Sequence, residues 1–386
     1  MAKKGKIRIY PQVFRKILEE YFGGSVEELA VHLSKKFGET VEERANLLKS
    51  LLQEERIVSI EQVEELSRKL KIAVLAFYLK DPDLIPKRTT KRDNRFGSCE
   101  LSYKDRIWLR NAEILHEILE EIIDFRPDIE SITKNLILED ESRLSEGLRK
   151  ILEFDLEIQK KLDDAALFQL LRSRIEDRGI PVVRLPLDAK NIRGSVIHGK
   201  IPLIIVSSYD YLRAQSFTLI HELCHIIQRS EMEVMELCRD YYEISRDNHE
   251  SFCNRVAGKF LLPNKVVEKE YRENEFDDLE QFVKFLSNKY RVSREVVYNR
   301  MIESRLIDRS LYEKYRQNVE GDWKSYIRGR PDYATVIVNR YGRLVISELL
   351  DAYHRRRISE SELIYALNLG DVKKVEQIEL ALYSGV

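Results

Sequence analysis

The sequence predicts a multidomain, mainly α-helical protein with a small sheet in a central α+β domain. Three observations carry that reading. Helix-capping signatures crowd the first 80 residues, β-branched runs separated by Gly, Pro and Asn follow Gly179, and helical periodicity returns after about residue 270. At 386 residues the chain has room for two or three domains, each burying its own core. The expected boundaries are 1–82 for an N-terminal helix-turn-helix bundle, 83–164 for a linker and helical connector, 165–268 for the α+β domain, and 269–386 for a C-terminal helical region.

The N-terminal bundle rests on SVEE (Ser25–Glu28), TVEE (Thr40–Glu43) and SIEQ (Ser59–Gln62). Each offers a hydroxyl at a helix N-cap and a Glu or Gln three residues on, the pattern of a capping box. Leu29 and Leu33, then Leu47, Leu48 and Leu51, then Val63, Leu66 and Leu70 follow at helical spacing. A further helix is expected around Val13 to Tyr21. Short helices with tight turns over residues 10–80 suit a helix-turn-helix domain that contacts DNA. A bundle kept for dimerisation or docking fits the same pattern. The expected reading helix, Val41 to Gln53, sets Glu42 and Glu43 against Arg44 and Lys49, and only Asn46, Lys49, Ser50 and Gln53 suit base edges. The net charge of −1 gives no bulk support for nucleic-acid binding.

Asp81–Arg95 is rich in Pro, Asp and basic residues without periodicity, and reads as a linker. Its Lys87, Arg88, Lys91, Arg92 and Arg95 could touch phosphates or simply be solvated. Beyond it, Leu115, Ile118, Leu119 and Ile122 mark one face of a charged helix. No apolar run approaches a membrane span, and MAKKGKIRIY lacks the apolar core of a signal peptide, so a cytoplasmic protein without membrane contact is expected. Cys99, Cys224, Cys238 and Cys253 are scattered without CxxC spacing, which argues against a disulfide framework or a cysteine zinc knuckle.

In the central domain, IPVVRLPL from Ile180, GSVIH from Gly194 and PLIIVSS from Pro202 read as strands. Helices are expected from Leu212 to Gln228 and from Asn248 to Leu262, the second stopped by Pro263. FVKFLSNKYRVSREVVYNRMI, with Ser293 as a cap, reads as a helix-turn-helix-like pair.

The first of these helices carries FTLIHELCHIIQ, Phe217 to Gln228. His221 and His225 lie one turn apart on one face, so both rings can be directed at one point. Zn²⁺ accepts imidazole nitrogens, and a catalytic site uses three protein ligands and one water. Glu222 follows the first histidine, where its carboxylate can take a proton from that water. Leu219, Ile220, Leu223, Ile226 and Ile227 form the core-facing stripe, which leaves the polar edge to face a cleft. The bland reading is two helix histidines that satisfy local hydrogen bonds. A third ligand counts against it: Glu250, on the second helix with Asn254 one turn on, completes a His, His, Glu set. His249 competes for that place but points about a quarter-turn away.

FTLIHELCHIIQ followed by ESFCNRVAGKFLLP resembles the ImmA/IrrE family of metallopeptidases, and the preceding strands match in order and spacing over roughly residues 165–310. The resemblance implies a zincin-like fold of the gluzincin kind, with Zn²⁺ bound by His221, His225 and Glu250 and with Glu222 as general base. It also implies an N-terminal domain of the XRE type, which VEELSRKLKIAVLAFYLKDPDLIP resembles at its end. Cys224 stands where the family has a small glycine, and Cys253 where it has alanine. Cys224 could crowd the metal, bind it, or pack as a small hydrophobe. The function implied is regulation of transcription by cleaving a helix-turn-helix repressor. The alternative is a DNA-binding regulator, dimeric or not, whose peptidase-like domain senses or docks. For oxyanion stabilisation, Tyr241, Tyr242, His198 and His249 are equal candidates.

Overall fold

The structure is a computed structural model that describes residues 6–22, 25–70, 72, 74–84, 102–125, 127, 136–188, 192–228, 235–238, 248–276, 278–318, 332–369 and 372–383. Among these residues helices dominate and the sheets are small, and no helix is long and apolar enough to cross a membrane. The chain divides into two compact units, Met1–Ile114 and Leu115–Val386.

In the first unit, β1 (Lys6–Ile9) is followed by α1 (Pro11–Tyr21), α2 (Val26–Val31), α3 (Val41–Gln53), β2 (Arg56–Ser59) and α4 (Ile60–Leu70). Pro11 opens α1 at a position whose N–H would have no helical partner anyway. All three capping hydroxyls serve as N-caps, and two of the three signatures close the full box. Ser25 Oγ accepts from the Glu28 N–H, Thr40 and Glu43 close both arms of a capping box, and Ser59 and Gln62 do the same at 2.9 and 3.2 Å. At the first of them the Glu28 carboxylate turns to Arg106 instead of back to the cap. The bundle is not purely helical: β1 pairs antiparallel with β2, Lys6 opposite Ser59 and Ile9 opposite Arg56. Four-residue strands far apart in sequence leave almost no local pattern. On the expected reading helix, α3, the Lys49 ammonium lies 2.7 Å from Glu27. Arg44 donates to the Leu33, Gly38 and Glu39 carbonyls, so it staples the preceding loop. Most of the expected linker, including Lys87, Arg88, Lys91, Arg92 and Arg95, lies outside the described residues.

The boundary between the units falls within α5 (Tyr103–Ile122). The second unit continues with α6 (Glu141–Ile151), α7 (Leu156–Lys161), α8 (Asp164–Glu176), β3 (Val182–Leu185), β4 (Gly194–Ile197), β5 (Leu203–Ser207), α9 (Leu212–Gln228), β6 (Met235–Cys238), α10 (Asn248–Leu261) and α11 (Asn264–Glu273). The chain then runs through α12 (Leu279–Tyr290), α13 (Arg294–Glu303), α14 (Arg309–Asn318), α15 (Tyr333–Tyr341), α16 (Arg343–His354), α17 (Glu360–Ala366) and α18 (Val375–Tyr383). The sheet order is β3-β5-β4-β6, with β3 parallel to β5 and the other pairs antiparallel. Every residue of β4 and β5 is buried, which is why β5 reads as a near-continuous apolar run without alternation. One apolar core joins residues of α6, α8, the sheet, α9, α10, α12 and α13. Ser293 caps α13 after Arg291, which takes the left-handed conformation, so the α12–α13 pair forms as the sequence indicates.

The C-terminal helices are tied to this core by a buried ion pair. On α8, Arg172 donates from Nε to Glu176 at 3.0 Å, from Nη1 to the Asn339 carbonyl at 2.7 Å, and from Nη2 to the Val182 carbonyl. Glu176 accepts from the backbone N–H groups of Arg343 and Leu344. The pair therefore satisfies backbone groups at the end of α15 and the start of α16. Gly342 joins these helices at φ +83°, and a Cβ there would sit 2.1 Å from Glu176 Oε1. Only glycine meets both demands.

Candidate metal centre

Polar contacts at both ends fix the helix that carries His221. Near its start, Arg213 donates to Asp164 at 2.9 Å, Ser287 Oγ at 2.8 Å and Asn288 Oδ1 at 3.1 Å. Gln215 accepts from Arg184 at 2.8 Å and donates to the Asp210 carbonyl at 2.6 Å. Gln228, at the far end, donates to the Leu138 carbonyl at 2.8 Å. The facing helix α10 is anchored by Arg255 and Lys259, which both pair with Glu141 on α6. Gln159 donates to the Leu261 carbonyl at its C-terminal end.

Between these anchors the three expected ligands converge. His221 Nε2 and His225 Nε2 are 3.0 Å apart, and each lies 3.2 Å from a different oxygen of Glu250. Tetrahedral Zn²⁺ with roughly 2.0–2.1 Å bonds would space its donor atoms about 3.3 Å apart, so this set fits the ion with minor adjustment. The Nδ1 of His221 is buried without a hydrogen-bond partner among the described residues. The donor chemistry, two imidazoles and one carboxylate, suits a borderline divalent ion.

The electrostatics bind the set together. Burial pushes the Glu250 carboxyl up, but hydrogen bonds from His221 and His225 outweigh it and hold the group well below the usual carboxylate range. Burial pushes His221 below the ordinary histidine range. It would do the same to His225, yet hydrogen bonding to Cys253 and Glu250 and the charge of Glu222 hold that imidazolium well above it. A cation held by this set would compete with protonation of His225.

Instead of edging an open cleft, the histidines and Glu222 are buried, Glu222 and His225 at 0% exposure. The cause is that α9 is covered on nearly every side, packing against α8, β4, β5 and α10 together. Glu222 meets β4 at Gly194, where an added Cβ would stand 2.2 Å from its Oε1 and 2.4 Å from Thr218 Cγ2. Glycine here is a matter of close approach. Gly194→Ala is expected to push the Glu222 carboxylate aside while the three ligands stay in place. Metal content by elemental analysis should hold and turnover should fall by about 10²-fold; unchanged turnover would mean that the position of Glu222 is immaterial.

Two residues acquire a place that their sequence reading did not give them. His249 lies with its ring centroid 5.1 Å from that of His225, and the Cys253 sulfur lies within 4.8 Å of a His225 ring nitrogen. Together His225, His249 and Cys253 form a second group whose potential ligand atoms lie within 4.8 Å of one another. The signal was present: HESFC on α10 repeats the one-turn spacing of HELCH on α9. Of the three places considered for Cys224, the structure shows packing as a small hydrophobe, buried in the apolar core beside Cys253. Among the oxyanion candidates, His198 sits buried just beyond β4, and Tyr241 and Tyr242 lie outside the described residues.

A small sheet, a helix with two histidines one turn apart, and a carboxylate from the next helix together make a donor set that could hold a divalent metal ion. Residues 175–301 match the profile of the IrrE N-terminal-like domain, a metallopeptidase family. The match begins in the last turn of α8 and ends within α13, so it takes in the whole sheet, both donor helices and the α12–α13 pair. No curated protein matches the chain.

Proposed function

We propose that this protein is a cytoplasmic zinc-dependent endopeptidase that regulates transcription by cutting a helix-turn-helix repressor. The observation that carries the reading is the convergence of His221, His225 and Glu250 at 3.0–3.2 Å beside the buried Glu222. Zn²⁺, when bound, supplies Lewis-acid polarisation of a carbonyl and a more acidic water. The chain's own residues supply the rest. His221, His225 and Glu250 hold the ion's position, with the anchors of α9 and α10 fixing theirs. Glu222 takes the proton of the attacking water and passes it to the leaving amine.

The sheet supports an extended polypeptide as substrate. β6 ends the sheet order, next to β4, and pairs Cys238 with Gly194, the residue against which Glu222 lies. Among the described residues β6 is an edge strand, and such a strand can take up an extended segment by backbone pairing. A folded helix cannot, so the cut falls in a loop or a transiently open segment of the repressor.

The test is metal removal. Chelation is expected to stop cleavage of a purified helix-turn-helix repressor, followed as loss of the full-length band, and equimolar Zn²⁺ is expected to restore it. Cleavage that persists in the chelated protein would sink the reading.

A further inference from the structure

The group made by His225, His249 and Cys253 is not used in the reading above, apart from His225. It spans two facing helices. α10 offers His249 and Cys253 one turn apart, just as α9 offers His221 and His225, and the potential ligand atoms of the three lie within 4.8 Å. Cys253 is fully buried and His249 is partly exposed, so the group has a thiol inside and a path to solvent at its outer member. Two imidazoles and a thiolate make a softer donor set than two imidazoles and a carboxylate.

We propose that His225, His249 and Cys253 form a second metal site, for a thiophilic ion of the Cu⁺ or Cd²⁺ class, that competes for His225 with the His221, His225, Glu250 set. Binding there displaces the thiol proton of Cys253 and the second proton of His225, both released to solvent, and forms metal–sulfur and metal–nitrogen bonds in their place. A neutral imidazole has one nitrogen lone pair to give while its other nitrogen carries the proton. His225 therefore serves one ion at a time. A hard or borderline ion settles on the carboxylate set, and a soft ion draws His225 towards Cys253 and leaves the first set with two donors. That regulatory consequence rests on the first set being the catalytic centre; the second site itself does not.

The test uses the full chain, stripped of metal and titrated with Cd²⁺ alone, with sulfur-to-metal charge-transfer absorption as the readout. The wild type should develop the band at one equivalent. Cys253→Ser should abolish it, and His249→Ala, at a partly exposed position, should weaken Cd²⁺ binding by at least about 10-fold. Glu250→Ala should keep the band in full. Absence of the band in the wild type, or its survival in Cys253→Ser, would overturn the site; so would unchanged Cd²⁺ affinity in His249→Ala. Equimolar Zn²⁺ added to the Cd²⁺ form should exchange with it, and uptake of both ions by one chain would overturn the competition. The carboxylate set is judged separately, by Zn²⁺ retention in His221→Ala, so failure of either site leaves the other open to test.

Discussion

Glu222→Gln is expected to keep the fold and the bound metal and to lose turnover by about 10²- to 10⁴-fold, roughly 3–5 kcal/mol of barrier. The amide has the size of the carboxylate and fits the same space against Gly194 and Thr218. It cannot take a proton from water. Glu222 is not among the three converging donors, so metal content should remain that of the wild type. A variant that lost both metal and activity would place Glu222 in the coordination sphere and remove its role as base.

The second large effect concerns the ligands. His221→Ala, His225→Ala and Glu250→Ala should each lower Zn²⁺ affinity by more than the roughly 10- to 100-fold that loss of a supporting outer contact costs. Each leaves two donors where a catalytic zinc needs three. Binding should also follow pH with a definite sign. Burial disfavours the His225 imidazolium, but Cys253, Glu250 and Glu222 hold its pKa above the ordinary histidine value, so the protonated, metal-free form persists to higher pH than an ordinary histidine would allow. Zn²⁺ must displace that proton, and affinity should rise with pH through and beyond the ordinary histidine range and fall away below it. Calorimetric titration at a series of pH values gives both numbers. A flat profile would mean that His225 is already neutral, or is not a ligand.

What could be read in the sequence was mostly local. The caps at Ser25, Thr40 and Ser59, the strands beginning at Val182, Gly194 and Leu203, and the helix Leu212–Gln228 depend on residues within a turn or two, and all are found in place. The face shared by His221 and His225 is equally local, and the placement of Glu250 needed only the next helix to face the first. The pairing of β1 with β2 and of β6 with β4 depends on partners far along the chain, and neither could be read. Burial of Glu222 was hidden because it follows from four elements closing on α9 together. The same holds for Gly194, whose need for a missing side chain arises only when β4 meets that helix. His249 and Cys253 show the limit most clearly. Their spacing was visible, but that they address His225 could be known only once α10 was set against α9.

The most direct measurement is the length of a helix-turn-helix repressor after co-expression with the wild type or with Glu222→Gln, read by intact mass alongside a reporter of repression. The wild type is expected to yield two fragments that meet at one peptide bond, together with derepression. Glu222→Gln, folded and metal-loaded, is expected to leave the repressor whole and repression intact. Equal derepression by both proteins with the repressor uncut would contradict the peptidase account and leave a protein that works by binding alone.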